Sequence, residues 1–179
     1  APVLLIFAIL IYLEDPGPIL YSQIRNGYDL RTFRIYKLRS MKVNSERYGP
    51  KWASNNDIRI NKVGKIIRST RIDELPQLWS VLKGEMSLIG PRPERPEFDI
   101  VLDKKIPFYS SRYSVKPGLS GWAQVNYPYG ASDNDARNKL SFDLYYIENF
   151  TFFLDLLIFF KTIRLVLNAS GSEEGAEII

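Results

Sequence analysis

Residues 3–13, Val-Leu-Leu-Ile-Phe-Ala-Ile-Leu-Ile-Tyr-Leu, contain no polar group beyond the Tyr12 hydroxyl. A helix of these residues has no face for water and must be covered by protein or by lipid. A bilayer core about 30 Å thick takes about 20 apolar residues, so the run is too short to span it. It also lacks the basic start and small-residue cleavage site of a secretory signal. Core helices usually keep one polar side, and this run keeps none, which favours a segment that dips into a membrane over a buried helix. Asp15-Pro16-Gly17-Pro18 ends it.

The remainder reads as one domain of mixed α+β type, mostly helical, in a chain of 179 residues. Residues 19–24 and 32–38 are β-prone and flank Asn26-Gly27, which predicts an antiparallel hairpin with a connection longer than two residues. Residues 41–57 read as a polar loop. Val63, Ile66 and Ile67 share the apolar face of a helix from Lys62. A second helix is expected from Asp73, as its N-cap, to a stop at Gly84, with Pro76 in the first turn. Gly90-Pro91-Arg92-Pro93 is a stiff turn, and residues 94–109 read as a helix. Lys116-Pro117-Gly118 has the Pro-Gly order of a type II turn. Two more helices cover 134–148 and 151–168, and residues 170–179 read as a tail. The last helix mixes Phe152, Phe153, Phe159 and Phe160 with Asp155, Lys161 and Arg164. That mixture suits an amphipathic helix in a membrane interface, with a core helix as the alternative. Trp122, Tyr145 and Tyr146 fit either setting.

Cysteine and histidine are both absent. Disulfides, thiolate chemistry, Ser-His-Asp triads and His-ligated metals are therefore excluded. Carboxylates, Lys, Arg, Tyr and hydroxyls must do any chemistry, and a metal would meet hard oxygen ligands, which favours magnesium or manganese. Lys plus Arg is 24 against 20 for Asp plus Glu, a net +4. This balance suits a phosphate-bearing substrate or an anionic membrane surface. No basic stripe or nucleic-acid motif is present, so nucleic acid is not an expected partner.

Asp73 and Glu74 are the main candidates for chemistry. Adjacent residues on a helix diverge by about 100°, so the two carboxylates would take different roles, one attacking and one holding a cation. Plain helix capping is the ordinary alternative. Arg92, set between Pro91 and Pro93, presents a planar guanidinium suited to bidentate phosphate binding. A structural turn with Arg92 paired to a carboxylate is the alternative there.

Several longer words extend this pattern. Leu-Arg-Ser-Met at 38–41, Asp-Glu-Leu-Pro-Gln-Leu at 73–78 and Lys-Gly-Glu-Met-Ser-Leu-Ile-Gly-Pro-Arg-Pro at 83–93 come in order. Lys-Pro-Gly-Leu-Ser-Gly-Trp-Ala-Gln-Val-Asn at 116–126, Phe-Asp-Leu-Tyr-Tyr at 142–146 and Leu-Asp-Leu at 154–156 follow. Together they resemble the bacterial sugar transferases, the monotopic polyprenyl-phosphate phosphoglycosyl transferases, over nearly the whole chain. The resemblance implies transfer of a phosphosugar from a UDP-sugar to a polyprenyl phosphate, with release of UMP, as an opening step of glycan or exopolysaccharide assembly. It implies Mg2+ and a covalent aspartyl phosphosugar. It matches Asp73 to the nucleophile, Glu74 to its metal-linked partner and Arg92 to a phosphate-binding Arg. Lys37 matches a further site position as a phosphate binder, its alternative being a strand-edge salt bridge. Asp143 matches another, as a metal ligand or a brace, its alternative being a helix-surface charge.

The resemblance further implies a place on the cytoplasmic face of a bacterial inner membrane, with membrane lipid as a partner, and leaves a homodimer open. Family members begin with a re-entrant helix broken at a Ser-Pro pair, where this sequence has Ala1-Pro2. Residues 1–13 are then the second half of that helix, its first half falling outside the sequence, and 14–179 the catalytic domain. The wording at 121–132 is similar to that of larger members with added N-terminal membrane helices and a regulatory domain. Two rival functions are weighed: a magnesium-dependent nucleotide-sugar pyrophosphatase and a non-enzymatic peripheral membrane scaffold. No residue reads out which sugar is handled.

Overall fold

The apolar run forms helix α1, Pro2–Glu14, in the computed structural model, which describes residues 2–47, 49, 57–128, 130 and 132–168. Pro2 suits a first helical position because its missing N–H would have no partner there. Ile11 is the one buried residue of α1, while Leu5, Ile6, Ile9, Tyr12 and Leu13 are exposed. Leu4, Phe7 and Ile11 meet Ile19, Leu38, Val63, Ile67 and Ile72 in one cluster. The end of α1 is fastened by charge. Glu14 accepts hydrogen bonds from the backbone N–H groups of Lys62 and Val63, at 2.7 and 2.8 Å. These belong to the first turn of α2, Lys62–Ser69, where N–H groups lack helical partners and favour an anion. Next to Glu14, Asp15 is held by the Arg39 guanidinium at 2.6 Å.

Strands β1, Leu20–Asn26, and β2, Thr32–Leu38, pair antiparallel with Gln23 opposite Ile35 and Tyr21 opposite Lys37. A short 3-10 turn, Tyr28–Leu30, makes the connection. On β2, Ile35 is buried, and Lys37 falls on the same side two residues on. The Asn61 side chain caps α2 by accepting from Gly64 N–H.

The stretch after α2 departs from expectation. Arg71 adopts a left-handed conformation with φ 56°, and Ile72–Gln77 is a 3-10 helix that continues into α3, Leu78–Leu82. Asp73 is therefore not an N-cap. Pro76 has no N–H to give a bond four residues back, so the α pattern starts only beyond it. Gly84, at φ 78°, closes the end as expected.

A second small sheet went unread in the sequence. Strand β3, Ser87–Ile89, pairs in parallel with β4, Gly118–Ser120. The expected type II turn at Gly118 is corrected: Gly118 is not among the residues with positive φ. Glycine is needed there because a Cβ would strike Gly90 N across the strand pair. Helix α4, Pro96–Lys105, also ends earlier than read. Ile106 precedes Pro107, a position that disfavours helix, and the left-handed Phe108 opens a separate 3-10 run, Tyr109–Ser114.

Short helix α5, Trp122–Asn126, leads to α6, Asp133–Asn149, which starts with a reciprocal Ser132–Asp135 capping box. Helix α7, Phe152–Leu167, is capped by Thr151. Leu102, Ile106, Tyr109 and Leu140 form a second core, and Ile89, Tyr146 and Ile158 a third. Only Ile158 of α7 is buried, with Phe152, Phe153, Phe159 and Phe160 exposed, so α7 is not a core helix. Tyr146 lies in the core and donates to Asp155 at 2.8 Å, whereas Tyr145 is exposed and stacks on Trp122. No helix among the described residues is long and apolar enough to cross a membrane. The expected tail at 170–179 and much of the loop at 41–57 lie outside the described residues.

Candidate active site

Strand β2, the 3-10 helix at 72–77 and the turn after β3 bring four predicted residues together. Lys37 Nζ and Arg92 Nη2 each lie 2.6 Å from Glu74 Oε1. Arg92 Nη1 faces Glu74 Oε2 at 3.4 Å. The pairing partner expected for Arg92 in a plain structural turn is thus a carboxylate of the site itself. Burial alone would raise the Glu74 pKa, but Arg92 and Lys37 overcome it and hold the group well below the usual carboxylate range. Burial likewise lowers the Lys37 pKa, against the pull of Glu74.

Asp73 has a different setting. It is buried, and no hydrogen bond or ion pair among the described residues engages its carboxylate. Burial pushes its pKa up to about 6, with Glu74 adding to the rise and Lys37, Arg68 and Arg92 opposing it. The tight turn creates this contrast by giving neighbouring carboxylates different surroundings, one in direct contact with two cations and one buried without an ion-pair partner among the described residues.

Arg68 and Arg71 complete the field. Arg71 is felt by both Asp73 and Glu74, and Arg68 acts on Asp73. Neither was singled out in the sequence, although both sit within the basic word that leads into Asp73. Placing them required the left-handed turn at Arg71, which no residue type there announces.

Asp143 stands apart from the carboxylate pair. It is 2% exposed on α6, so it is not a surface charge, and its Oδ2 lies 2.8 Å from Arg112 Nη2. Burial raises its pKa to about 6 against the effect of Arg112. Arg112 also donates to the Arg92 carbonyl at 2.8 Å. Sequence reading missed Arg112; its only signal was a charged residue among the aromatics of Tyr109–Ser114.

Among the described residues no three acidic side chains converge as metal ligands. Magnesium is commonly held by one or two carboxylates, with substrate phosphate oxygens and water completing the shell. Asp73 and Glu74 fit that arrangement for an ion arriving with a diphosphate. They do not fit an ion held by protein alone.

Comparison with known proteins gives a consistent picture. Residues 1–169 match the family model described as bacterial sugar transferase. The chain is 54% identical over 172 residues to the UDP-N-acetylgalactosamine-undecaprenyl-phosphate N-acetylgalactosaminephosphotransferase of Aeromonas hydrophila, covering 96% of this chain and 41% of that protein. It is 39% identical over 174 residues to a UDP-glucose:undecaprenyl-phosphate glucose-1-phosphate transferase of Caulobacter vibrioides, covering 96% of this chain and 65% of the relative. A UDP-glucose:undecaprenyl-phosphate glucose-1-phosphate transferase of Escherichia coli is 39% identical over 165 residues, 91% of this chain and 36% of its own length. The chain thus spans less than two thirds of each of these relatives.

Proposed function

The chain belongs to the bacterial sugar transferase family, and on that basis we propose that it moves a sugar 1-phosphate from a UDP-sugar to a polyprenyl phosphate, releasing UMP, with the phosphosugar carried in between on Asp73. The observation that carries this reading is the buried Asp73 carboxylate, unpaired among the described residues, beside an ionised Glu74 paired with Lys37 and Arg92.

In the first step an Asp73 oxygen attacks the phosphorus that bears the sugar. The bond from that phosphorus to the bridging oxygen breaks, and its electron pair leaves on the phosphate of UMP. In the second step a phosphate oxygen of the polyprenyl phosphate attacks the same phosphorus and expels Asp73 as a carboxylate. Both nucleophiles are anions, so neither step needs a general base, which accords with a chain that has no histidine or cysteine. Lys37, Arg92, Arg68 and Arg71 bring four positive charges against the two negative charges of Asp73 and Glu74, and the surplus draws the diphosphate toward Asp73. Arg92 grips phosphate through its planar fork. Asp73 and Glu74 are the residues placed to hold Mg2+ with the diphosphate, where the ion would screen negative charge.

The exposed apolar surfaces of α1 and α7 support a position at a membrane surface, and the proposed place is the cytoplasmic face of a bacterial inner membrane. There the phosphate of a polyprenyl carrier stays near the lipid surface. The relative at 54% identity acts, by its name, on UDP-N-acetylgalactosamine, so that is the first donor to assay, with UDP-glucose second.

The test is incubation of the purified protein with the UDP-sugar alone. One phosphosugar should add to the mass of the protein, map to Asp73 and transfer to undecaprenyl phosphate when that is supplied. A strict need for both substrates before any UMP appears, with no adduct, would exclude the covalent route. Release of free sugar 1-phosphate with water as the acceptor would make the protein a pyrophosphatase.

A further inference from the structure

Four consecutive carbonyls, from Pro91 to Glu94, accept hydrogen bonds from four residues in three different parts of the fold. Pro91 O takes Gly118 N–H at 2.9 Å, and Glu94 O takes Asn26 N–H at 3.0 Å. Pro93 O takes Arg25 Nη1 at 3.1 Å, and Arg92 O takes Arg112 Nη2 at 2.8 Å. The two prolines of the segment fix their own φ angles. The backbone that carries Arg92 is therefore over-determined, while its side chain remains 38% exposed toward the site.

Arg112 is the unusual donor of the four. Two of the others are backbone N–H groups, and Arg25 is paired with Glu94 beside its target. Arg112 is a buried cation, and its counter-charge, Asp143, is on another helix. Its Nη1 donates to Tyr109 OH at 2.7 Å, and its guanidinium lies 5.2 Å from the centre of the Tyr109 ring and 5.8 Å from that of Tyr113. Tyr113 OH in turn donates to Asp99 Oδ2, which also accepts from Asn26 Nδ2 at 2.6 Å. Asp99 thereby ties the strand end that holds Glu94 O to the 3-10 run that holds Arg92 O. A buried ion pair is a weak source of net stability, because apolar residues of similar volume often do as well. What apolar residues cannot replace is the hydrogen bond to the Arg92 carbonyl.

We propose that Arg112 is a positioning residue that fixes the attitude of Arg92 toward substrate phosphate, and that Asp143 serves as the fixed counter-charge holding Arg112 in place. This rests on the phosphosugar-transfer reading only in taking phosphate as the ligand of Arg92.

The test uses Arg112→Met combined with Asp143→Leu, which removes both charges and leaves no uncompensated ion in the interior. Arg112→Lys serves as the second variant; it keeps the charge opposite Asp143 but lacks the planar fork that reaches two acceptors. Either variant that folds should melt close to the parent protein while the KM for the UDP-sugar and the Kd for UDP rise about 10–100-fold, the scale of a misplaced binding group. Adding Arg92→Lys to such a variant should cost little more, because the grip is already lost. An unchanged KM and Kd would overturn the proposal, as would a full additional loss on adding Arg92→Lys. The Nε–H signal of Arg92 in 15N-arginine-labelled protein gives a readout independent of turnover. It should be dispersed in the parent and collapse toward the exposed arginines in the variants, and an unmoved signal would also overturn the proposal. If the parent released no UMP from any UDP-sugar, the functional reading would fail, and the Arg92 signal would still decide the positioning role.

Discussion

Asp73 and Glu74 are neighbours in sequence, each only 7% exposed, and lie at opposite electrostatic extremes. Burial pushes Asp73 up to about 6 with no partner to offset it fully. Glu74 is held well below the usual range because Arg92 and Lys37 outweigh the same burial. One carboxylate is thus kept available to react, and the other is kept permanently charged.

The first expected consequence is kinetic. A nucleophilic Asp73, as proposed, would attack only as a carboxylate, so the rate of adduct formation should be level above pH 7 and fall about tenfold per pH unit below about 6. Single-turnover UMP release between pH 5 and 8 measures this. A rate that stays level down to pH 5 would show that Asp73 ionisation does not limit the step.

Asp73→Asn should abolish turnover and stabilise the fold. Between the ordinary value of 3.8 and about 6, the folded state holds this proton more tightly than the unfolded state, so stability falls as pH rises through that window. Above pH 6 the full cost is present, about 1–3 kcal/mol. The amide removes it, so the variant should melt several degrees higher than the parent at pH 7.5, by a smaller margin at pH 4.5, and no higher below about pH 3, by calorimetry.

Glu74→Gln should act in the opposite sense. Glu74 stabilises the fold above its ordinary pKa of 4.5, and this contribution is lost as pH falls through its depressed folded value. Removing the charge strands Lys37 and Arg92, at a cost of about 2–3 kcal/mol, less than for a fully buried pair because Arg92 is partly solvated. A lower melting point at pH 7 together with weaker binding of UDP would meet this expectation.

EDTA should stop UMP release, and Mg2+ should restore it. Because no three acidic side chains converge among the described residues, Mg2+ alone should bind weakly and tighten when UDP is present. Isothermal titration with and without UDP checks this, and equal affinity in both would point to a protein-only site.

On α7, Phe153→Glu with Phe160→Glu should release the protein from liposomes in a flotation assay, because both side chains are exposed and apolar. Adduct formation from the soluble UDP-sugar should survive, since neither residue belongs to the Asp73 cluster.

The hairpin, the helix at Lys62 and the last two helices could be read from the sequence because each depends on short-range pattern. Lys37, Asp73, Glu74 and Arg92 stood out because their residue types and proline neighbours are informative one word at a time. What could not be read depended on close approach between distant segments. Gly118 looks like a turn glycine until Gly90 is found against it. Asp73 looks like a cap until Arg71 turns left-handed. Arg112 has no local signature, since its partners Arg92 and Asp143 lie 20 and 31 positions away in the chain.

The fastening of α1 has a mechanical consequence. Its apolar side chains share one cluster with Leu38 and Ile72, the immediate neighbours of Lys37 and Asp73. Its final turn is locked to α2 through Glu14 and is followed by the Asp15–Arg39 pair. No joint separates this exposed apolar helix from the candidate site. In a bilayer the two must rise and sink together, as a keel sets the draught of a hull. Under the proposed membrane placement, the depth to which α1 settled would fix the height of Asp73 above the plane of lipid phosphates, and a thicker or thinner leaflet would tune the encounter with a polyprenyl carrier without altering a single contact in the site.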